Sequence, residues 1–178
     1  MANFKEIVTK AVVGKAKKTT TSHFQMNTNE RPDTVLGCWV INHSFRGRNN
    51  NGSVLVSGEF DVNVWYSYEN DTKTTVSSAR FQYNDPMNIR LKDEQHLTDS
   101  SEIIVRSLRQ PTVTNVTVDN GVVNLDIEKE LGIEVVGDTK LKVPVEDDED
   151  DYEEILDEEE ITTADVEEIS NVDTEYLN

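Results

Sequence analysis

The side chains able to do chemistry are few and scattered. His23, His43 and His96 fall far apart, one in a polar segment, one at the end of an apolar run and one in a loop. Metal centres draw their ligands from closely spaced pairs, so lone histidines read as structural or surface residues. The single cysteine, Cys38, lies within VLGCWVIN, where apolar surroundings raise a thiol's pKa and favour a small buried hydrophobe over a nucleophile. One cysteine allows no intrachain disulfide, which fits a reducing compartment. Neither a phosphate-cradling glycine loop nor a nucleophile elbow is present. The run DDEDD at 147–151 lacks the central glycine and closing spacing of an EF-hand, leaving at most weak, non-specific cation binding. The expectation is a chain with no catalytic, metal or cofactor site, and not an enzyme.

The charge is partitioned. Of the 35 acidic residues, 17 lie in 146–178, which holds no Lys or Arg, so 1–145 carries 18 acidic and 17 basic residues and is nearly neutral. A neutral body with an anionic extension would be repelled by phosphate, which argues against nucleic acid. No apolar run approaches the ~18–20 residues needed to span a bilayer, and MANFKEIVTK lacks the apolar core of a signal peptide. These features predict a protein made and kept in the cytoplasm, with no membrane insertion.

The stretch that must position everything else is Val54–Tyr68, VLVSGEFDVNVWYSY. Val54, Val56, Phe60, Val62, Val64, Tyr66 and Tyr68 alternate with Ser57, Glu59, Asp61, Asn63 and Ser67, a period of two that fits a half-buried strand and no helix. Its length predicts a bend, with a bulge easiest at Gly58. Trp65 falls on the wet face, either covered by a second layer or exposed to a partner. Val35–Asn42 is apolar on both faces, as in a strand buried on both sides. RGRNNNG then reads as a long hairpin loop into the central strand, and Thr74–Tyr83 as the third strand of a meander. Val113–Val118, Asp119-Asn120-Gly121 and Val122–Leu131 form a hairpin whose Asn-Gly supplies a type I′ turn. Ile133–Val136, a Gly137-Asp138 turn and Leu141–Val145 complete the pattern, after a short polar strand at Thr19–Met26. Phe4, Ile7, Val8, Ala11 and Val12 recur at helical spacing, although Ile7–Val13 reads equally as a strand, and Asp99 with Glu102 offers a cap for a helix to about Arg109, where EIIV also reads as a strand. The predicted fold is all-β, an antiparallel sandwich or barrel of about eight strands with one or two short helices.

Two segments suggest partners. Lys10, Lys15, Lys17 and Lys18 make the amino-terminal end basic, either a solvated edge that discourages strand pairing or a docking surface for an acidic partner. From Glu146 the composition changes abruptly. Like charges repel and stay solvated, so 146–178 is expected to be a disordered acidic tail beside a β-rich domain at 1–145. Tyr152, Ile155, Leu156, Ile161, Val166, Ile169, Tyr176 and Leu177 punctuate that tail, the composition of a segment that folds on a partner. The alternative is a tail that only confers solubility.

EIVTKAVVGKAKK (6–18), VLGCWVINH (35–43), GEFDVNVWYSYENDTKTTV (58–76), RQPTVTNV (109–116) and EVVGDTKLKV (134–143), with the acidic tail, resemble the spore coat protein E family, morphogenetic proteins of the bacterial endospore outer coat. That resemblance implies a non-enzymatic assembly protein, present in the mother-cell cytoplasm during sporulation and then in the outer coat layer. It also implies partners: further copies of itself, a coat basement containing the ATPase called stage IV sporulation protein A, and outer-coat proteins recruited partly by the C-terminal end. A rival from another class is a carbohydrate-binding β-sandwich, with Trp65 stacking on sugar rings.

Overall fold

Alternation of apolar and polar residues decides the architecture, because every long strand that buries one face needs a second sheet to cover it. The computed structural model of the chain describes residues 3–92 and 96–145. Contacts group Glu6–Lys142 into one unit and the two ends, Met1–Lys5 with Val143–Asn178, into another, of which only the strand ends 3–5 and 143–145 are described. Six strands run in order: β1 (Asn3–Met26), β2 (Thr34–Asn50), β3 (Ser53–Tyr68), β4 (Lys73–Met87), β5 (Glu102–Asp119) and β6 (Val122–Val145). They form two three-stranded sheets, β1-β6-β5 and the meander β2-β3-β4.

The central strands β3 and β6 supply most of the core. Val54, Val56, Phe60, Val62, Val64 and Tyr66 of β3 and Val123, Leu125, Ile127, Leu131, Ile133 and Val135 of β6 are all buried. Val13 and Met26 of β1 and Tyr83 and Met87 of β4 join the same cluster. The sheets approach closely where β2 meets β5: a Cβ at Gly47 would stand 2.7 Å from the Cγ2 atoms of both Ile103 and Val105. Outward side chains of β1 and β6 interlock, with Gln25 Nε2 donating to Asn124 Oδ1 at 3.1 Å and His23 Nδ1 lying 2.5 Å from Asp126 Oδ1.

The all-β fold and the alternation of β3 are as expected, whereas several elements differ. No helix occurs among the described residues. The helical spacing at Phe4–Val12 and the cap at Asp99 gave way to β1 and β5, because Ile7–Val13 and EIIV suit a pleated edge equally well and long-range pairing with β6 overrides a weak local preference. Among the described residues the strands number six rather than about eight, since Val122–Leu131, Ile133–Val136 and Leu141–Val145 are one continuous strand and Gly137-Asp138 makes no turn. RGRNN likewise belongs to β2, and the hairpin to β3 closes on Asn51 (φ 51°) and Gly52 (φ 88°) alone. The second hairpin turn is the expected one, Asn120 (φ 49°) and Gly121 (φ 82°), both left-handed as a type I′ turn requires. Nor is Val35–Asn42 buried on both faces. It lies in an edge strand, with Leu36, Trp39 and Ile41 exposed.

The bulge expected at Gly58 lies on the neighbouring strand. Ile41 pairs with Asp61 and Ser44 with Glu59, so Asn42 and His43 together oppose Phe60, and Asn42 takes a left-handed φ of 55°. Gly58 is needed for a different reason: a Cβ there would collide with the ring and hydroxyl of Tyr83 and with the Ser44 carbonyl oxygen, 2.7 Å away. Gly58→Ala is therefore expected to cost about 1–3 kcal/mol through overpacking. Urea denaturation of the variant beside the wild type checks this, and an unchanged midpoint would contradict it.

Candidate functional site

Two sets of polar groups stand out against this core, one inside it and one on an open face. The inward phase of β6 runs through every odd residue from Val123 to Val135, and one of them is Lys129, only 2% exposed. Its ammonium lies 2.9 Å from Asp85 Oδ2 and 3.9 Å from the centroid of the Tyr83 ring. The Tyr83 hydroxyl is 2.8 Å from His43 Nε2, and His43 Nδ1 is 3.3 Å from Gln110 Oε1. The tautomer that satisfies both bonds carries its proton on Nδ1, so Nε2 accepts from the tyrosine. The Asn42 bulge is what turns His43 toward this chain of groups.

Burial sets the chemistry of the chain. Desolvation lowers the His43 pKa, with the nearby Lys129 charge acting the same way and the Gln110 bond opposing both, so the imidazole is neutral at pH 7. Burial, reinforced by the Asp85 carboxylate, pushes the Tyr83 hydroxyl far above its ordinary range. These groups are locked on one another, an arrangement that fixes how the two sheets meet. Cys38 is half-buried against the core, and burial raises its thiol pKa as well. Among the described residues, no group of three or more His, Cys, Asp and Glu comes together as metal ligands would.

The second set occupies the outer face of β2-β3-β4. Pairing registers place Gly37, Trp65 and Val76 in one row, Trp39, Asn63 and Ser78 in the next, then Ile41, Asp61 and Arg80. Trp39 and Trp65 are each 43% exposed and flank Gly37, whose Cβ position is 3.8 Å from a ring carbon of both. With Val76 and Ile41 they make an apolar patch on a sheet face that the other described residues leave exposed. Next to it, Arg80 Nε donates to Asp61 Oδ1 at 2.7 Å, Asn42 Nδ2 donates to Asp61 Oδ2 at 2.8 Å, and Glu59 lies 3.6 Å from Arg80. The bonds from Arg80 and then Asn42 hold the Asp61 carboxyl down at about 2. Past the bulge the same face carries a polar cleft of about 530 Å³ lined by Ser44, Arg46, Arg48, Ser57, Gln82 and Asn84 among others.

The sequence-expected site residues divide accordingly. Trp65 is exposed, with Trp39 beside it. Lys15 pairs with Glu134 at 2.9 Å, Lys17 with Glu130 at 3.2 Å, and Lys18 donates to the Pro86 carbonyl at 3.1 Å. Lys10 lines a shallow cleft with His96, Thr98 and Ser101. Tyr152, Ile155, Leu156, Ile161, Val166, Ile169, Tyr176 and Leu177 lie outside the described residues. Trp39 and Lys129 were the omissions. Trp39 was hidden in a run apolar on both faces, and Lys129 shares the odd phase of Val123, Leu125, Ile127 and Leu131, which alone marks it as inward.

A two-sheet β-sandwich whose buried lysine is paired and whose outer face is exposed and partly aromatic has the build of a binding or assembly domain. A family model for outer spore coat protein E (CotE) matches residues 3–178, and the chain belongs to that family. The family is one of outer spore coat proteins, which connects the chain to sporulation and to the outer coat. No curated protein and no solved structure matches it.

Two outcomes follow from the site. Lys129→Met leaves the Asp85 carboxylate buried and unpaired and is expected to cost about 3–5 kcal/mol, whereas Lys129→Met with Asp85→Val recovers most of it. Chemical denaturation of both variants checks this, and a double variant no better than the single would contradict it. Asp61, whose folded pKa is depressed, adds stability that is full above the ordinary carboxylate value of about 4 and fades as pH falls toward about 2. In Arg80→Gln its titration midpoint, followed by carbon NMR, should move up toward the ordinary range.

Proposed function

We propose that the chain is a non-enzymatic morphogenetic scaffold of the endospore outer coat. In this reading the β body self-associates and docks on the coat basement, through a partner like the ATPase stage IV sporulation protein A. The acidic tail at 146–178 recruits outer-coat proteins. The scaffold acts first in the mother-cell cytoplasm and then as part of the outer coat. The observation that carries the proposal is the family match over residues 3–178. A nearly neutral body lets copies approach, while the 17 acidic residues of the tail steer basic or amphipathic clients and its apolar residues lengthen their stay.

The tail role is tested with a purified outer-coat client. Raising salt from about 0.05 to 0.5 M should weaken binding, as screening shortens the Debye length. Changing Tyr152, Ile155 and Leu156 together to Ser should weaken it at constant charge. Client affinity indifferent to both would exclude the tail as the recruiting segment.

A second reading, a carbohydrate-binding module, gains from the exposure of Trp39 beside Trp65, because two indoles on one flat face offer more stacking surface than one. Binding to a glycan array that vanishes in Trp65→Ala and in Trp39→Ala would favour it, and no binding to any glycan would exclude it.

A further inference from the structure

Each sheet of the sandwich has two edge strands, and an unprotected edge presents a row of unpaired N–H and C=O groups to any strand that can reach it. Three of the four edges are blunted. Strand β2 is broken by two shifts of register, at Val35/Gly37 and at Ile41/Ser44. Strand β5 is broken by three, between Ser107 and Asn115, and holds Pro111 within the same stretch. On β1 the segment after β4 folds back: the Lys92 N–H donates to the Val13 carbonyl at 2.8 Å, and Ile89 and Leu91 pack over Gly14. Strand β1 also carries Lys5, Lys10, Lys15, Lys17 and Lys18.

The fourth edge, β4, has none of these devices among the described residues along most of its length. Its pairing with β3 runs without a shift from Tyr68↔Lys73 to Val54↔Met87. Its only proline, Pro86, stands near the end, and there Lys18 satisfies the Pro86 carbonyl. Between Lys73 and Pro86 the sequence TTVSSARFQYND pairs without a bulge and holds several β-formers, about 40 Å of strand. It contains two charges, both turned onto their own molecule: Arg80 onto Asp61 and Glu59, and Asp85 onto Lys129. Beside this edge Phe24 and Phe81 stack at 4.6 Å, half-buried.

From this we infer that β4 is the edge through which two copies of the chain join, antiparallel β4 against β4, giving a continuous six-stranded sheet β2-β3-β4-β4-β3-β2. The occupant is a second copy because antiparallel self-pairing is isologous: each copy offers the same complementary row, and the contact closes on a twofold axis. No uncompensated charge on Thr74–Asp85 opposes a like charge on the other copy. The inference rests on the proposed self-association and names its surface.

The test uses the full chain with Val76→Lys/Ser78→Lys, two exposed positions on the outer face of β4 where lysines blunt an edge as natural sheets do. Light scattering after size exclusion should show the dimer constant weakened about tenfold or more, with the thermal midpoint of the fold unchanged. Independently of any variant, hydrogen exchange of the wild type at concentrations where it associates should slow alternate amides within 74–84. Undiminished association of the lysine variant, or protection confined to β2 or β5, would overturn β4 as the joining edge while leaving self-association standing. A wild type monomeric at every concentration would overturn self-association itself.

Discussion

The contact on which the molecule depends is that of β3 against β6, two central strands whose inward side chains are almost wholly removed from water. Burying an aliphatic side chain is worth about 1.5–3 kcal/mol, so a dozen such residues outweigh every surface pair in the structure. Within this layer lies one charge, the Lys129 ammonium, which its position on β6 forces inward and which Asp85 and the Tyr83 ring accommodate. That pair is a device of specificity rather than strength: a one-residue slip of β6 would put Lys129 outside and Glu128 or Glu130 inside, with no cation to meet them.

How much of this was legible depends on whether a signal was local. The alternation of Val54–Tyr68 is carried by most of its residues and survives in β3 as far as Tyr66, after which Ser67 is buried and Tyr68 only partly so. Asn120-Gly121 is a turn because only left-handed backbone closes a two-residue hairpin. The misread segments share one weakness: their identity is decided by a distant partner. Phe4–Val12 and Ile103–Leu108 satisfy helix and strand patterns alike, and pairing with β6 selects the strand. Gly137-Asp138 has turn composition yet continues β6. The outer face is a sheet-level property, since Trp39, Trp65 and Val76 become neighbours only once the registers of two hairpins are set. The shift at Asn42, which brings His43 to Tyr83, is written in no local motif.

Charge divides the chain between a body with little net charge and a segment holding nearly half of its acids. Several of the body's ionic groups pair with each other: Lys15 with Glu134, Lys17 with Glu130, Arg109 with Glu128, Arg80 with Asp61. With so little net charge the body has little long-range repulsion toward its own kind, which is compatible with the self-association proposed for it. Two directional features stand out on it, an edge strand of unbroken register and a partly aromatic face on the same sheet. Both belong to β2-β3-β4, so the meander that supplies half of the core also carries the surfaces proposed for assembly.

The division of labour stands or falls on whether the body assembles by itself. Sedimentation velocity on residues 1–145 beside the full chain, at matched concentration and moderate salt, measures this directly. The account requires the shortened chain to form the same oligomers as the full one. A monomeric 1–145 fragment, well folded by circular dichroism, beside an assembling full chain would contradict it.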